Sequence, residues 1–218
     1  MAPWTEEAHA AGRELSRRIL EHPFIRELRD GTLPGLKFIY YLGQSVHFVD
    51  AAVKAGALAA AKAPDRETRD LCLLRGPGGR DEFDRLDTPQ SVRSDRADAA
   101  PTCRGYTLHL LTIAYSRDAV DLLAALLPHR RSYEEIAASL DAKLDPPFRR
   151  EWMRFYRDPE YSDLVARHRA IVDRLTAELP PGRRAQLLED YLLSLRYEHR
   201  FWDMAYARER WPSDAPLI

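Results

Sequence analysis

Apolar residues recur along this chain every three or four positions, the spacing that stacks side chains on one face of an α-helix. From 4 to 20 the pattern falls on Ala8, Ala11, Leu15 and Ile19. Over 36–62, Phe38, Tyr41, Ser45, Phe48 and Ala52 make one face of a long helix. The same periodicity predicts helices over 106–115, 118–144, 148–156, 161–179 and 182–206. No run alternates apolar and polar residues long enough for a strand. Proline supplies punctuation. His22-Pro23 breaks the chain because the residue before a proline is pushed out of the helical region. Pro180-Pro181-Gly182 separates two helices like a tight antiparallel connection. Pro128 falls inside the 118–144 pattern, where it frees the carbonyl four residues back. An all-α bundle is expected, as one domain over 1–218 with no internal repeat.

One stretch departs from the pattern. Residues 75–101 are rich in Gly, Pro, Asp and Arg and carry few large apolar side chains. They predict an irregular connection, either a plain surface linker or a cover over a site. Gly76-Pro77-Gly78-Gly79 is a turn within it. It lacks the Gly-Lys-Ser/Thr ending and the preceding strand of a phosphate-binding loop.

Length and charge narrow the class. A chain of 218 residues can bury a substantial core. The formal net charge of −1 gives no argument for nucleic acid or an anionic membrane surface. No helix-turn-helix with a basic recognition helix is evident. The longest apolar-rich stretch, 51–61, is too short to span a bilayer. Cys72 and Cys103 are isolated, which suits a reducing compartment, and the acidic start of the chain carries no apolar core. A cytoplasmic protein is expected.

Candidate chemistry begins at Glu198. Its helical neighbours are Ser194, Leu195, Phe201 and Trp202, so a carboxylate lies in a mostly apolar stripe. Burying it without a partner costs several kcal/mol or raises its pKa. It has a chemical task, or else it is a salt-bridged core residue or partly exposed. Tyr40, Tyr41, Gln44, Ser45, His47 and Phe48 set hydrogen-bonding groups among aromatics on another helix. Tyr106, His109, His129, Tyr133 and Tyr156 do the same elsewhere. Together they suggest an aromatic, polar-dotted pocket for a small flat molecule.

These residues resemble a family. Tyr197-Glu198-x-x-Phe201-Trp202-x-Met204-Ala205-Tyr206 is similar to the C-terminal signature of the TenA proteins, the thiaminase II or aminopyrimidine aminohydrolase family. Supporting pieces follow in order: His22-Pro23-Phe24, Asp30 to Pro34, Phe38-x-Tyr40-Tyr41-Leu42-x-Gln44, Pro101-Thr102 with Tyr106, and Ala124 to Pro128. The resemblance covers 4–211. It implies a heme-oxygenase-like helical bundle, assembled as a homotetramer or homodimer. It also implies hydrolysis of the bond between an aminopyrimidine's exocyclic methylene and its leaving group. Glu198 matches the family's catalytic glutamate; Tyr106, Tyr133 and Tyr156 match pocket tyrosines, and Phe201 an aromatic wall. Gln44, Ser45 and Phe48 fall in the segment that contacts the pyrimidine.

Three positions depart from that family's pattern. His129 stands where a nucleophilic cysteine is usual, Ser45 where an aspartate reads the pyrimidine edge, and Phe48 where a tyrosine is common. Imidazole is a general base and a different catalyst from a thiolate. The first reading is therefore a hydrolase with Glu198 as acid/base and His129 activating water on a small heteroaromatic substrate. The second is a repurposed relative with another substrate, or a non-catalytic binder. Arg130 and Arg131 imply an anionic substrate if they face inward. The third is a metal-dependent oxygenase, for which His47 with Asp50 and His199 with Asp203 have helical spacing. Its paired Glu-x-x-His motif occurs only once, at Glu6 and His9. The hydrolase reading needs no metal and no cofactor.

Overall fold

The computed structural model describes residues 2–74, 98–140 and 147–212, and every regular element among them is a helix. In chain order these are α1 (Trp4–Leu20), α2 (Pro23–Arg29), α3 (Gly35–Ala60), α4 (Arg66–Leu73), α5 (Pro101–Ser116), α6 (Ala119–Ser139), α7 (Pro147–Arg157), α8 (Pro159–Thr176) and α9 (Pro181–Ala207). The expected irregular connection lies outside the described residues up to 97, and Pro101 already opens α5.

Two short helices escaped the periodicity argument, because seven or eight residues hold too few repeats to show it. Local chemistry makes them. His22 caps α2 by accepting the Phe24 N–H at Nδ1 (3.1 Å), and Pro23 sits in the first turn, where a missing N–H costs nothing. So His22-Pro23 both ends one helix and starts the next. Asp65 caps α4 by accepting the Thr68 N–H at 2.8 Å. Asp118 and Asp121 close a reciprocal capping box on α6. That helix runs through Pro128 without ending.

The bundle is held by a few broad contacts. α3 packs on α5, α6 on α9 and α8, and α1 on α9. α4 approaches α3 closely enough that a Cβ at Gly56 would collide with the carbonyl of Cys72. At the centre, Phe24, Phe38, Tyr41, Trp152 and Trp202 form one ring cluster drawn from α2, α3, α7 and α9, all fully buried. Tyr41 stacks on Trp202 at 5.1 Å and 14°, and Trp152 meets both Phe38 and Tyr41 edge-on. Rings of this size each bury roughly 150–250 Å² and anchor a core out of proportion to their number.

Buried charge is tied in pairs. Asp121 is fully buried and gripped by both terminal nitrogens of Arg183, while Arg117 bonds Asp190. The start of α6 is thereby locked to α9.

Candidate active site

Glu198 lies on the inner face of α9 and is 2% exposed, with Ser194, Leu195, Phe201 and Trp202 buried around it. The carboxylate is not alone. Its Oε1 accepts the Tyr106 phenol at 2.6 Å and lies 3.0 Å from His129 Nδ1. Three helices thus converge on one oxygen: α5 through Tyr106, α6 through His129, and α9 itself. Glu198 itself lines the pocket beside them.

Hydrogen bonds of this kind to an ionised carboxylate are short and strong. Burial, and then the Glu198 charge, push the Tyr106 phenol well above its ordinary pKa. Tyr133 is raised well above its own, by burial and then by Tyr41, Tyr156 and Glu198. Both remain neutral donors at physiological pH. With Glu198 ionised, His129 Nδ1 carries the ring hydrogen, and Nε2 is then the basic nitrogen.

A pocket opens beside this pair, with about 360 Å³ of space between its walls, mouth included. Glu198, His129 and Tyr106 form one side, Tyr133, Tyr156 and Phe201 another. α3 contributes Tyr41, Ser45, Phe48 and Val49. The His129 ring is held between Phe48 and Tyr133, each at 4.5 Å between centroids. Tyr41 and Tyr133 share a hydroxyl–hydroxyl hydrogen bond of 2.8 Å. Such a slot suits a planar ligand with a few polar atoms.

Nearly all the expected site residues meet here, and one does not. Gln44 is buried, but it is not in the pocket wall. Its Oε1 accepts the Ala100 N–H at 2.9 Å and its Nε2 reaches the Asp98 carbonyl at 3.4 Å. The same segment is strapped from the other side. Glu209 accepts the Thr102 N–H and hydroxyl at 2.9 and 3.1 Å, and Trp211 Nε1 donates to the Ala99 carbonyl at 3.1 Å. Gln44 therefore fastens the entrance to α5. Tyr41 lines the pocket, as the aromatic grouping on its helix suggested, and Val49 does so without having been expected to. The signal was present, since Tyr41, Ser45, Phe48 and Val49 are four, seven and eight positions apart on one helix face.

The remaining candidates sit elsewhere. Arg130 is buried against His168 Nδ1 (3.2 Å) and Arg131 bonds Glu135 (3.0 Å), so neither faces the pocket and the case for an anionic substrate falls away. Burial pushes the Cys103 thiol up to about 12 and that of Cys72 to about 11, and neither lines the pocket. His199 bonds Asp203 at 3.2 Å, as its spacing predicts, but Asp203 also takes His22 at 3.2 Å, outside the pocket wall. No group of three or more His, Cys, Asp or Glu among the described residues is arranged to hold a metal ion. No helix among them is long and apolar enough to cross a membrane.

The sequence pattern that defines the TENA/THI-4/PQQC family matches residues 9–77 and 89–208. The chain belongs to this family. It is 28% identical over 221 residues to the aminopyrimidine aminohydrolase of Bacillus subtilis (strain 168), covering 97% of this chain and 93% of that relative. Among solved structures it is similar to the TenA homologue protein from P. horikoshii OT3, at 25% identity and a TM-score of 0.83 over 94% of this chain and 99% of that one. Heme oxygenase 2 from Chlamydomonas reinhardtii shares the fold at 16% identity, with a TM-score of 0.66 over 93% of this chain and 97% of that one. The expected TenA membership and the heme-oxygenase-like bundle both hold.

Proposed function

We propose that this chain hydrolyses a carbon–nitrogen bond of an aminopyrimidine or a related nitrogen heteroaromatic, the activity for which its Bacillus subtilis relative is named. One observation carries the proposal: a buried carboxylate and an imidazole, 3.0 Å apart, share the wall of an aromatic slot. In the reaction, water oxygen bonds to the exocyclic methylene carbon as that carbon's bond to nitrogen breaks. His129 Nε2 takes the proton from water. The hydrogen on Nδ1 passes along the Nδ1–Oε1 hydrogen bond to Glu198, whose carboxyl delivers it to a departing amine nitrogen, or to solvent when a thiazolium leaves with the bonding pair as neutral thiazole. Water and substrate become an alcohol and an amine or a thiazole. The Tyr106 phenol stabilises Glu198 whenever it is ionised, and the ring walls hold the heterocycle flat.

The test is product analysis by mass spectrometry from 4-amino-5-aminomethyl-2-methylpyrimidine and from thiamin. Hydroxymethylpyrimidine made by the native chain and not by Glu198→Gln supports the proposal. Folded protein that turns over neither compound ends it. The assembly proposed is a homodimer or homotetramer, which sedimentation equilibrium distinguishes from a monomer.

One observation favours a second reading, a repurposed pocket with another ligand. The Ser45 hydroxyl donates to the Tyr41 carbonyl at 2.8 Å, so the position that resembles a pyrimidine-reading aspartate has no charge and no free hydrogen. A heteroaromatic without the amino and ring-nitrogen pattern would suit that wall.

A further inference from the structure

Tyr106 is the hinge of the site, because it alone of the described tyrosines donates a hydrogen bond to Glu198. Something must hold its ring at the right tilt. The ring is stacked nearly parallel on that of Tyr197, at 5.2 Å between centroids and 6° between planes. Tyr197 is the residue immediately before Glu198 on α9, yet it points to the α5 side and not into the pocket. On α5 it meets two rings and a gap: Tyr106 lies under its face, His109 is tilted against it at 5.5 Å, and Gly105 leaves room at its edge.

Gly105 is what permits this. A Cβ there would lie 3.3 Å from Tyr197 Cε1 and 3.5 Å from its hydroxyl. The first distance is tighter than ordinary van der Waals contact, so a side chain at 105 makes the Tyr197 ring give by a few tenths of an ångström against Tyr106. Below the stack, His109 Nε2 is 2.9 Å from the Ser194 hydroxyl, which fixes α5 against α9 one turn before Glu198.

We infer that Tyr197 is a positioning residue for the site: its ring, seated on Gly105, sets the plane of Tyr106 so that the phenol reaches Glu198 Oε1. The inference rests on Glu198 being the acting carboxylate. It adds a residue that touches neither the pocket nor the substrate.

A donor to the ionised carboxylate holds its pKa down, and losing the donor raises it. The titratable groups around Glu198 are Tyr106 from α5, His129 and Tyr133 from α6, Tyr41 from α3, Tyr156 from α7 and Tyr161 from α8, and of these Tyr106 is the one stacked on Tyr197. The experiment is a ¹³C NMR titration of the Glu198 side-chain carboxyl, assigned by its disappearance in Glu198→Gln. It is done on the full chain without substrate, so it gives an answer whether or not a pyrimidine is hydrolysed.

Tyr197→Leu is expected to move the Glu198 midpoint in the same direction and as far as Tyr106→Phe moves it. Tyr197→Phe, which keeps the stacked ring, is expected to restore the native midpoint. Gly105→Ala is the second route, displacing the ring without removing it, and is expected to give a smaller rise in the same direction. A role confined to packing would lower the melting temperature and leave the midpoint alone. The inference is overturned by a native midpoint in both Tyr197→Leu and Gly105→Ala, or by Tyr197→Phe moving it as far as Tyr197→Leu. Should the leucine variant fail to fold, Gly105→Ala decides the matter alone.

Discussion

His129 Nδ1 and Glu198 Oε1 stand 3.0 Å apart across the join of α6 and α9, with the imidazole clasped between the rings of Phe48 and Tyr133. An imidazole fixed at one nitrogen by a carboxylate is held in one tautomer and one orientation, which is what a general base needs. Replacing His129 with alanine is expected to lower kcat by about 10²–10⁴-fold with a smaller change in KM. Steady-state kinetics on the aminopyrimidine check this, and equal losses in the His129→Ala, Glu198→Gln and double variants would show that the pair works as a unit.

Ser45 should matter little. Its hydroxyl hydrogen is already given to the Tyr41 carbonyl one turn back in its own helix, so alanine there leaves no buried donor unpaired. Ser45→Ala is expected to change kcat/KM less than about threefold, equivalent to well under 1 kcal/mol. A tenfold loss measured in the same assay would mean that the hydroxyl turns toward substrate.

The ring cluster predicts the largest loss of stability. Trp202 is fully buried, stacked on Tyr41 and in contact with Phe24 and Tyr133. Trp202→Ala is expected to destabilise the fold by about 3–5 kcal/mol, seen as a lower midpoint in urea at an unchanged slope.

How much of this was legible from sequence differs by residue. Ala8, Leu15 and Ile19 repeat at helical spacing, and the helix they predict ends where α1 ends. Glu198 was legible because a carboxylate among Leu195, Phe201 and Trp202 violates the pattern around it. Its partners Tyr106 and His129 lie 92 and 69 residues away; pairing at that distance leaves no local trace, and they were placed in the site through the family resemblance. Gln44 shows the reverse failure. It lies on the same helix as Tyr41 and Ser45, but a helix has more than one inner face, and Gln44 points to the backbone of 98–100. Arg130 misled for a similar reason, since a buried guanidinium with a neutral histidine partner looks in sequence like any surface arginine.

Arg183 offers a test of the buried ion pairs. Removing it leaves Asp121, which is fully buried, without its bidentate partner and with the Asp118 N–H at 3.2 Å and Arg117 at 3.9 Å. Arg183→Met is expected to cost about 3 kcal/mol, and Arg183→Met combined with Asp121→Asn to recover part of that. Denaturant midpoints of the three variants form the cycle.

Acid sensitivity follows from a half-buried histidine. Burial, and then the nearby Arg117 charge, depress His109 from its ordinary 6.5 to about 4. Between those values the unfolded chain binds a proton that the folded chain refuses, so stability falls as the pH drops from 6.5 to about 4 and levels off below. The contribution is on the order of 2–3 kcal/mol. His109→Gln, which still bonds Ser194, is expected to flatten that part of the curve of melting temperature against pH.

The packing of α1 against α9 has a consequence for the order of events during synthesis. The carboxylate of the pocket belongs to the last of the described helices, while the first lies along that helix for much of its length. Until α9 has left the ribosome, α1 can pack only on α2, α6 and α8 and lacks its broadest contact, and Tyr106 and His129 have no carboxylate to converge on. The nascent chain therefore carries an exposed apolar groove until a late stage, which is where chaperone capture and aggregation compete with folding. The pocket does not mature gradually from a simpler cavity; its carboxylate arrives only when α9 packs onto α5 and α6.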